Sequence, residues 1–200
     1  MKLLIKSISI SIVLTIIFSM IPFTAKCDEI SHDVFRLHIL ANSDSKADQD
    51  LKLKVRDNIL KFARANFKGF TSKDDAIEVT EQNLPEIKKI AEKTIHDNGY
   101  DYKVTAQLTD MYFNTRIYDN ITMPAGKYRA LRILIGSGKG HNWWCVMFPP
   151  ICIGAATQTS TLDNTLNSNE QDVVENGTKY QVKFKVVEYY YDVVSWFNSL

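Results

Sequence analysis

The sequence has little of the three residue types that dominate specialised folds. Of its 200 residues only eight are glycine, five are proline and three are cysteine. These low counts exclude a collagen-like chain, a disordered chain rich in proline and glycine, and a densely disulfide-bonded scaffold. Apolar residues make up 45% of the chain and charged residues 24%. The composition is that of a globular protein long enough for one ordinary domain with a buried core.

The chain also lacks any cluster of lysine and arginine that would form a basic arm. Its net charge is +1, and removal of residues 1–26 would leave 21 basic and 23 acidic residues, a net charge of −2. A domain with this balance has no long-range field to attract nucleic acid or an acidic membrane. We therefore predict that no nucleic acid is a partner.

Charge is missing altogether from one segment near the N-terminus. Lys2 and Lys6 precede an uncharged and mostly apolar run over residues 7–25. This pattern is typical of an export signal, and it predicts that residues 1–26 are a signal peptide and that residues 27–200 form a single exported domain. The run is also long enough to span a membrane, so an uncleaved anchor that associates the chain with a membrane through residues 7–25 is the alternative.

The expected redox state of the three cysteines depends on whether the chain is exported. In an oxidising compartment Cys145 and Cys152 form either a disulfide or two buried thiols, and their spacing leaves both open. Cys27 stands alone, and a lipid on it is disfavoured because Lys26 stands where a lipobox has a small residue. Together with His141, the two later cysteines give too few ligands for a metal site, and we predict no metal and no cofactor.

The period of the apolar residues predicts an α+β fold in one domain, a mostly antiparallel sheet with helices packed on one face. Helices are predicted over residues 46–66, on either side of Pro85 up to Asn98-Gly99, and over 188–200. Strands are predicted over residues 34–41, 102–108, 113–118, 128–135 and 179–187. Residues 143–148 are predicted to form either a further strand or an extended arm. Residues 153–177 are predicted to be a polar loop with a short helix near 169–174.

The helix over residues 46–66 carries a clear apolar stripe. Ser45 is predicted to cap it, with Asp48 three residues further on. Lys52, Lys54, Arg56 and Asp57 lie largely off the stripe.

The glycine-rich segment over residues 136–140 resembles a phosphate-binding loop but does not have its spacing. Lys139 is followed by Gly140 and His141, where a P-loop has serine or threonine. The residues that follow do not begin a helix, as a dinucleotide site would require. Nucleotide binding is therefore not predicted.

Two segments carry the candidate binding residues. Two adjacent tryptophans on a strand point to opposite faces, so one can be buried while the other anchors a partner. We therefore expect partner contacts from the segment that contains His141, Asn142, Trp143, Trp144, Pro149 and Pro150. The first strand and its end offer a second group, Arg36, Asn42, Ser43 and Asp44. The alternative is a structural role for each group. The tryptophan rings of the first group would then pack inside the protein, and the polar side chains of the second group would cap the following helix.

Read together, these segments resemble the stage II sporulation protein R family. The resemblance spans nearly the whole exported region. Its most specific parts are Ala41-Asn42-Ser43-Asp44 and Gly140-His141-Asn142-Trp143-Trp144-Cys145, and residues 48–57, 126–132 and 182–188 also fit.

The resemblance implies a developmental signal rather than an enzyme. Members of this family are made in the forespore and exported into the space between the two membranes that separate it from the mother cell. There they trigger a membrane-embedded aspartic protease that processes the precursor of sigma factor E. The family supplies no catalytic residues. A secreted enzyme that uses Cys145 and His141 on the cell wall is the alternative function, and an anchored structural protein is a third.

Overall fold

The computed structural model describes residues 2–66, 72–118, 121–152 and 165–198. Its elements in chain order are α1 (Lys2–Asp33), β1 (Phe35–Leu40), α2 (Lys46–Asn66), α3 (Lys73–Gln82), α4 (Leu84–Asp97), β2 (Val104–Phe113), β3 (Arg116–Tyr118), β4 (Ile121–Met123), β5 (Gly126–Ile135), β6 (Asn142–Phe148), α5 (Ser168–Glu175), a 3-10 helix (Gly177–Tyr180) and α6 (Gln181–Asn198). This mixture of helices and sheet confirms the predicted α+β class.

The chain divides into two compact units, and the first contains residues 33–111 and the described part of 128–165. This unit is built on a four-stranded sheet with the strand order β2-β5-β1-β6. Strand β1 pairs in parallel with β5 and antiparallel with β6. Strand β5, predicted to be central, lies between β2 and β1. At the end of β1, Leu40 lies between Leu134 of β5 and Asn142 of β6.

Helices α2, α3 and α4 pack on one face of this sheet, as predicted. The shared core takes alternate residues of the strands and the apolar stripe of α2; it includes Phe35, Leu37, Ile39, Leu131, Ile133, Leu51, Val55 and Ile59. Each such side chain contributes about 1.5–3 kcal/mol when it is fully removed from water. Helix α2 has the predicted bounds, and α3 and α4 meet near Leu84 as expected.

Strand β1 differs from its prediction as a half-buried strand, because all six of its residues are buried. Its polar side chains have partners inside the unit. Arg36 Nε donates to the carbonyl oxygen of Cys145 at 3.1 Å, and its guanidinium lies 4.9 Å from the ring centroid of Tyr128. His38 Nε2 lies 2.6 Å from Oδ1 of Asn142. Hydrogen bonding thus lets polar residues occupy a strand that is buried on both faces.

The second compact unit contains α1, the β3–β4 hairpin, α5 and α6. Phe23 of α1 packs against Tyr180 and Phe184, with ring centroids 5.4 and 5.3 Å away. Tyr191 of α6 donates a hydrogen bond to Oδ1 of Asp28 at 2.6 Å. These contacts fix the end of α1 against α6.

Two strand predictions in this unit are wrong. Residues 179–187 are helical, since α6 begins at Gln181 directly after the 3-10 helix. Residues 113–118 do not form a strand beside β2; instead β3 pairs with β4, with Arg116 opposite Met123. The closing helix predicted from residue 188 is confirmed as the later part of α6, and the short helix near 169–174 is α5. Most of the predicted polar loop, residues 153–164, lies outside the described residues.

Helix α1 contains the predicted export segment. Among the described residues, it is the one helix that is long and apolar enough to cross a membrane, a test that signal sequences also pass. The predicted boundary after residue 26 falls inside this helix. Cleavage there, and a single domain over residues 27–200, stay predictions.

Candidate functional site

Two segments that are far apart in sequence meet at one end of the sheet. Because the end of β1 lies beside the start of β6, residues 41–44 contact the loop that precedes β6. The backbone nitrogen of Gly140 donates to the carbonyl oxygen of Ala41 at 2.9 Å. We call this region the polar corner, and it consists of Asn42, Ser43, Asp44, Asp48, Lys52 and His141.

Asp48 is the buried acceptor of the polar corner. Its Oδ2 accepts hydrogen bonds from Asn42 Nδ2 at 2.9 Å and from Ser43 Oγ at 2.5 Å. Its backbone nitrogen donates to Ser45 Oγ at 3.2 Å, which confirms the predicted cap. Burial acts to raise the pKa of Asp48, but the hydrogen bonds from Ser43, Asn42 and Tyr102 outweigh it and hold the pKa below its usual value. The carboxylate is therefore ionised at neutral pH.

Asn42 fastens the glycine-rich loop to the polar corner. Its Oδ1 accepts a hydrogen bond from the backbone nitrogen of Ser137 at 3.0 Å, and its carbonyl oxygen accepts one from Ser137 Oγ at 2.6 Å. A Cβ atom on Gly140 would lie 2.2 Å from the carbonyl oxygen of Ser43. The glycine at this position is thus required by close backbone packing.

Lys52 is buried, with 4% of its surface exposed, although it lies largely off the apolar stripe of α2. Its Nζ donates to Gln49 Oε1 at 2.6 Å and to the carbonyl oxygen of His141 at 2.8 Å. Burial lowers the pKa of Lys52. The side chain joins α2 to the loop before β6, a role that apolar periodicity cannot reveal.

Asp44 and His141 form the exposed part of the polar corner. The side chains are 57% and 78% exposed, and Asp44 Oδ1 contacts both the imidazole Nδ1 and the backbone nitrogen of His141, the latter at 2.6 Å. The hydrogen bond from the imidazole lowers the pKa of Asp44. An acidic and a basic group are thus presented to solvent on a support that the buried residues fix.

The two tryptophans point to opposite faces of the sheet, as predicted. The guanidinium carbon of Arg56 in α2 lies 5.0 Å from the ring centroid of Trp143, on the helix-covered face. Trp144 stacks on His38 on the other face. Both indoles are half-buried, so neither is the fully exposed anchor that the sequence allows. Asn142 beside them is exposed.

Three of the expected contact residues lie elsewhere. Arg36 is fully buried in the middle of β1, where it has the internal role described above. Pro149 and Pro150 follow the opposite end of β6, and Pro149 is buried. The burial of Arg36 corrects its prediction as a surface contact, whereas a partner contact at Pro149 and Pro150 stays a prediction.

Cys145 and Cys152 are joined by a disulfide, with their Cα atoms 6.3 Å apart. The backbone nitrogen of Cys152 also donates to the carbonyl oxygen of Val146 at 3.2 Å. Cys145 is 2% exposed, and its sulfur is held in this bond. Within the described parts of the chain, no group of three or more histidine, cysteine or acidic residues is arranged to hold a metal ion.

Comparison with known proteins gives two matches. A family model described as stage II sporulation protein R matches residues 31–158, a stretch that contains the whole polar corner. Stage II sporulation protein R of Bacillus subtilis (strain 168) is 37% identical over 164 residues, which cover 80% of this chain and 73% of that protein. No solved structure matches the chain.

Proposed function

Since the chain belongs to the stage II sporulation protein R family, we propose that it is an exported signal that activates a membrane-embedded aspartic protease. A role in sporulation follows from the family itself. The proposal adds the route and the target: export from the forespore into the intermembrane space, and activation of the mother-cell protease that processes the precursor of sigma factor E.

The observation that carries the proposal is the convergence of the two most specific family segments at the polar corner. Asp44 and His141 are exposed there, while Asp48 and Lys52 beneath them are buried and hydrogen-bonded. A binding surface gains affinity when its contact groups are already held in place before the partner arrives. The corner therefore has the construction of a recognition surface, with exposed polar groups on a rigid support.

Activation by binding has a definite energetic requirement. A bound protein changes the activity of a protease only if it binds the active arrangement more tightly than the inactive one. A nearly complete switch requires about 10⁴-fold tighter binding to the active arrangement. We assign this discrimination to Asp44 and His141, with Asn142 and the half-buried edges of Trp143 and Trp144 as neighbouring contacts.

The rival function is a secreted enzyme that uses Cys145 and His141 on the cell wall. A cysteine nucleophile acts as a free thiolate that is accessible to its substrate. Cys145 is buried and bonded to Cys152, so it offers no accessible thiolate. These contacts support the signalling role over the enzymatic one.

The test is co-expression of the full chain with the protease and the sigma precursor in a host that does not sporulate. Precursor size is followed by immunoblot, with Cys145→Ser as the discriminating variant. We expect processing that depends on the chain and persists in Cys145→Ser. A precursor that stays uncut beside a verified protease contradicts activation, and loss of processing in a folded Cys145→Ser chain favours the enzyme.

A further inference from the structure

Helix α1 consists of two parts that differ in the burial of their side chains. In the apolar part, from Leu3 to Ile21, ten large apolar side chains are between 47% and 83% exposed, and their positions cover most of the circumference of the helix. In the packed part, which begins at Phe23, one face is buried: Phe23, Cys27 and Ile30 follow each other at steps of four and three residues and are 4%, 1% and 0% exposed. The apolar part therefore has the surface of a helix in lipid, and the packed part that of a helix on a protein core.

The packed part of α1 belongs to the core of its own compact unit. Phe23 contacts Tyr180 of the 3-10 helix and Phe184 of α6, with ring centroids 5.4 and 5.3 Å away. Further along the helix, Oδ1 of Asp28 accepts a hydrogen bond from the hydroxyl of Tyr191 at 2.6 Å. The packed part is therefore a structural element of the unit and not merely a leader attached to it.

The residues around the predicted boundary after residue 26 do not favour cleavage. Signal peptides are cut after a sequence of the Ala-x-Ala type, which has small residues at its last position and two positions earlier. A cut after Lys26 would place a lysine at the last position, and a cut after Ala25 would place Phe23 two positions earlier. A cut after Cys27 would have small residues at both positions, but Cys27 is 1% exposed within the helix. Each of the three cuts would also remove Phe23 from its aromatic contacts.

The apolar part of α1 has the length and the charge distribution of a membrane span. At about 1.5 Å per residue, residues 3–21 extend for about 28 Å, close to the hydrocarbon thickness of about 30 Å. Lys2 and Lys6 at the start of the helix favour retention of the N-terminus in the cytosol, which places Asp28 on the outer side of the membrane. One orientation of α1 therefore allows both insertion of the apolar part and export of the unit that contains the packed part.

We propose that residues 1–26 are not removed and that α1 is a signal anchor. Its apolar part stays in the membrane, and its packed part is folded into the exported unit. The chain is then held at the outer surface of the membrane that it crosses and is not released from it. Of the two alternatives that the sequence leaves open, the structure thus favours the anchor over the cleaved signal. This inference rests on the export contained in the proposed function, but not on the activation of a protease.

The test follows the full chain, with an epitope tag at its C-terminus, in a bacterial host that exports proteins and cleaves their signal peptides. Membranes are washed with alkaline carbonate, which removes proteins that do not span the bilayer, and intact mass spectrometry identifies the first residue. Protease added to spheroplasts shows whether the tag has been exported. We expect the chain to remain in the washed membranes with residues 1–26 intact and its tag accessible to the protease.

Two results would overturn the proposal in different ways. A soluble exported chain that has been shortened within α1 would overturn the anchor, while activation of a protease by that chain would still stand. A full-length chain whose tag the protease cannot reach would overturn the export on which both the anchor and the proposed function rest.

A matched pair of variants tests the role of Phe23. Phe23→Ala removes the ring from the core and creates an Ala-Thr-Ala sequence, which is a cleavage site of the Ala-x-Ala type. Phe18→Ala makes the same substitution at a side chain that is 67% exposed, and it creates no such site because Ile16 and Met20 are large. We expect Phe23→Ala to be cut and released and Phe18→Ala to stay anchored at full length. Equal retention of the two variants would overturn the assignment of Phe23 as the residue that keeps α1 attached.

Discussion

The imidazole of His38 stacks on the indole of Trp144, with ring centroids 4.0 Å apart and planes inclined by only 5°. The two residues face each other across the antiparallel pairing of β1 and β6. His38 is 2% exposed, and its Nε2 lies 2.6 Å from Oδ1 of Asn142, the residue before Trp143. A buried histidine thus holds the start of β6, the strand that leads out of the polar corner.

This arrangement makes stability depend on pH. Burial lowers the pKa of His38 to about 4 from its usual 6.5, and the positive charges of Arg132 and Arg36 add to the effect. The unfolded chain therefore binds a proton that the folded chain does not, so stability is lost as pH falls from 6.5 towards 4. The full loss is about 3 kcal/mol, and urea unfolding between pH 7 and 5 measures its larger part.

His38→Phe is the control for this pH dependence. Phenylalanine keeps an aromatic ring against Trp144 but cannot be protonated. The loss of unfolding free energy between pH 7 and 5 should be smaller in the variant by roughly 2 kcal/mol. An equal loss in both proteins would mean that other groups cause the acid sensitivity.

Asp48 should contribute much more to stability than a neighbouring aspartate on the same helix. Asp48→Ala leaves the buried side-chain donors of Asn42 and Ser43 without their acceptor, and we expect a loss of about 2 kcal/mol. Asp50→Ala removes only the exposed pair with Lys46, which contributes about 0.5 kcal/mol or less. Chemical unfolding of both variants compares them directly, and equal losses would show that Asp48 does not organise the corner.

The disulfide predicts how many thiols can be labelled. The chain has three cysteines, and with Cys145 bonded to Cys152 only the buried Cys27 retains a thiol. The exported chain, unfolded without reductant, should therefore take up one thiol reagent per molecule, and three after reduction. Mass spectrometry counts the labels. Three labels without reductant would show that Cys145 and Cys152 stay unpaired outside the cytosol.

Apolar periodicity was sufficient to predict much of the first unit. The structure confirms the elements that depend on local pattern. These are the apolar stripe of α2, the cap at Ser45 and the strands β1, β5 and β6. Both halves of the polar corner could also be chosen from sequence, because polar side chains gather at strand ends. Their convergence required the sheet order, which places the end of β1 beside the start of β6.

Sequence reasoning was insufficient where the burial of a side chain does not follow the apolar period of its own segment. Over residues 179–187, apolar residues on two faces of one helix produce an alternation that mimics a strand. Phe184 and Val187 are buried, whereas Val182 and Val186 are exposed on the opposite face. Lys52 lies largely off the apolar stripe, and its hydrogen bond to the carbonyl oxygen of His141, 89 residues away, could not be predicted from local pattern.

The most direct test of the central claim compares two histidine variants in the co-expression assay. His141→Ala removes an exposed imidazole, while the backbone nitrogen of residue 141 can still donate to Asp44. His96→Ala removes an exposed histidine from α4 and is the matched control. With both variants exported and folded at wild-type levels, we predict that His141→Ala loses most precursor processing and that His96→Ala retains it. Wild-type processing by His141→Ala would contradict the assignment of the polar corner as the surface that activates the protease.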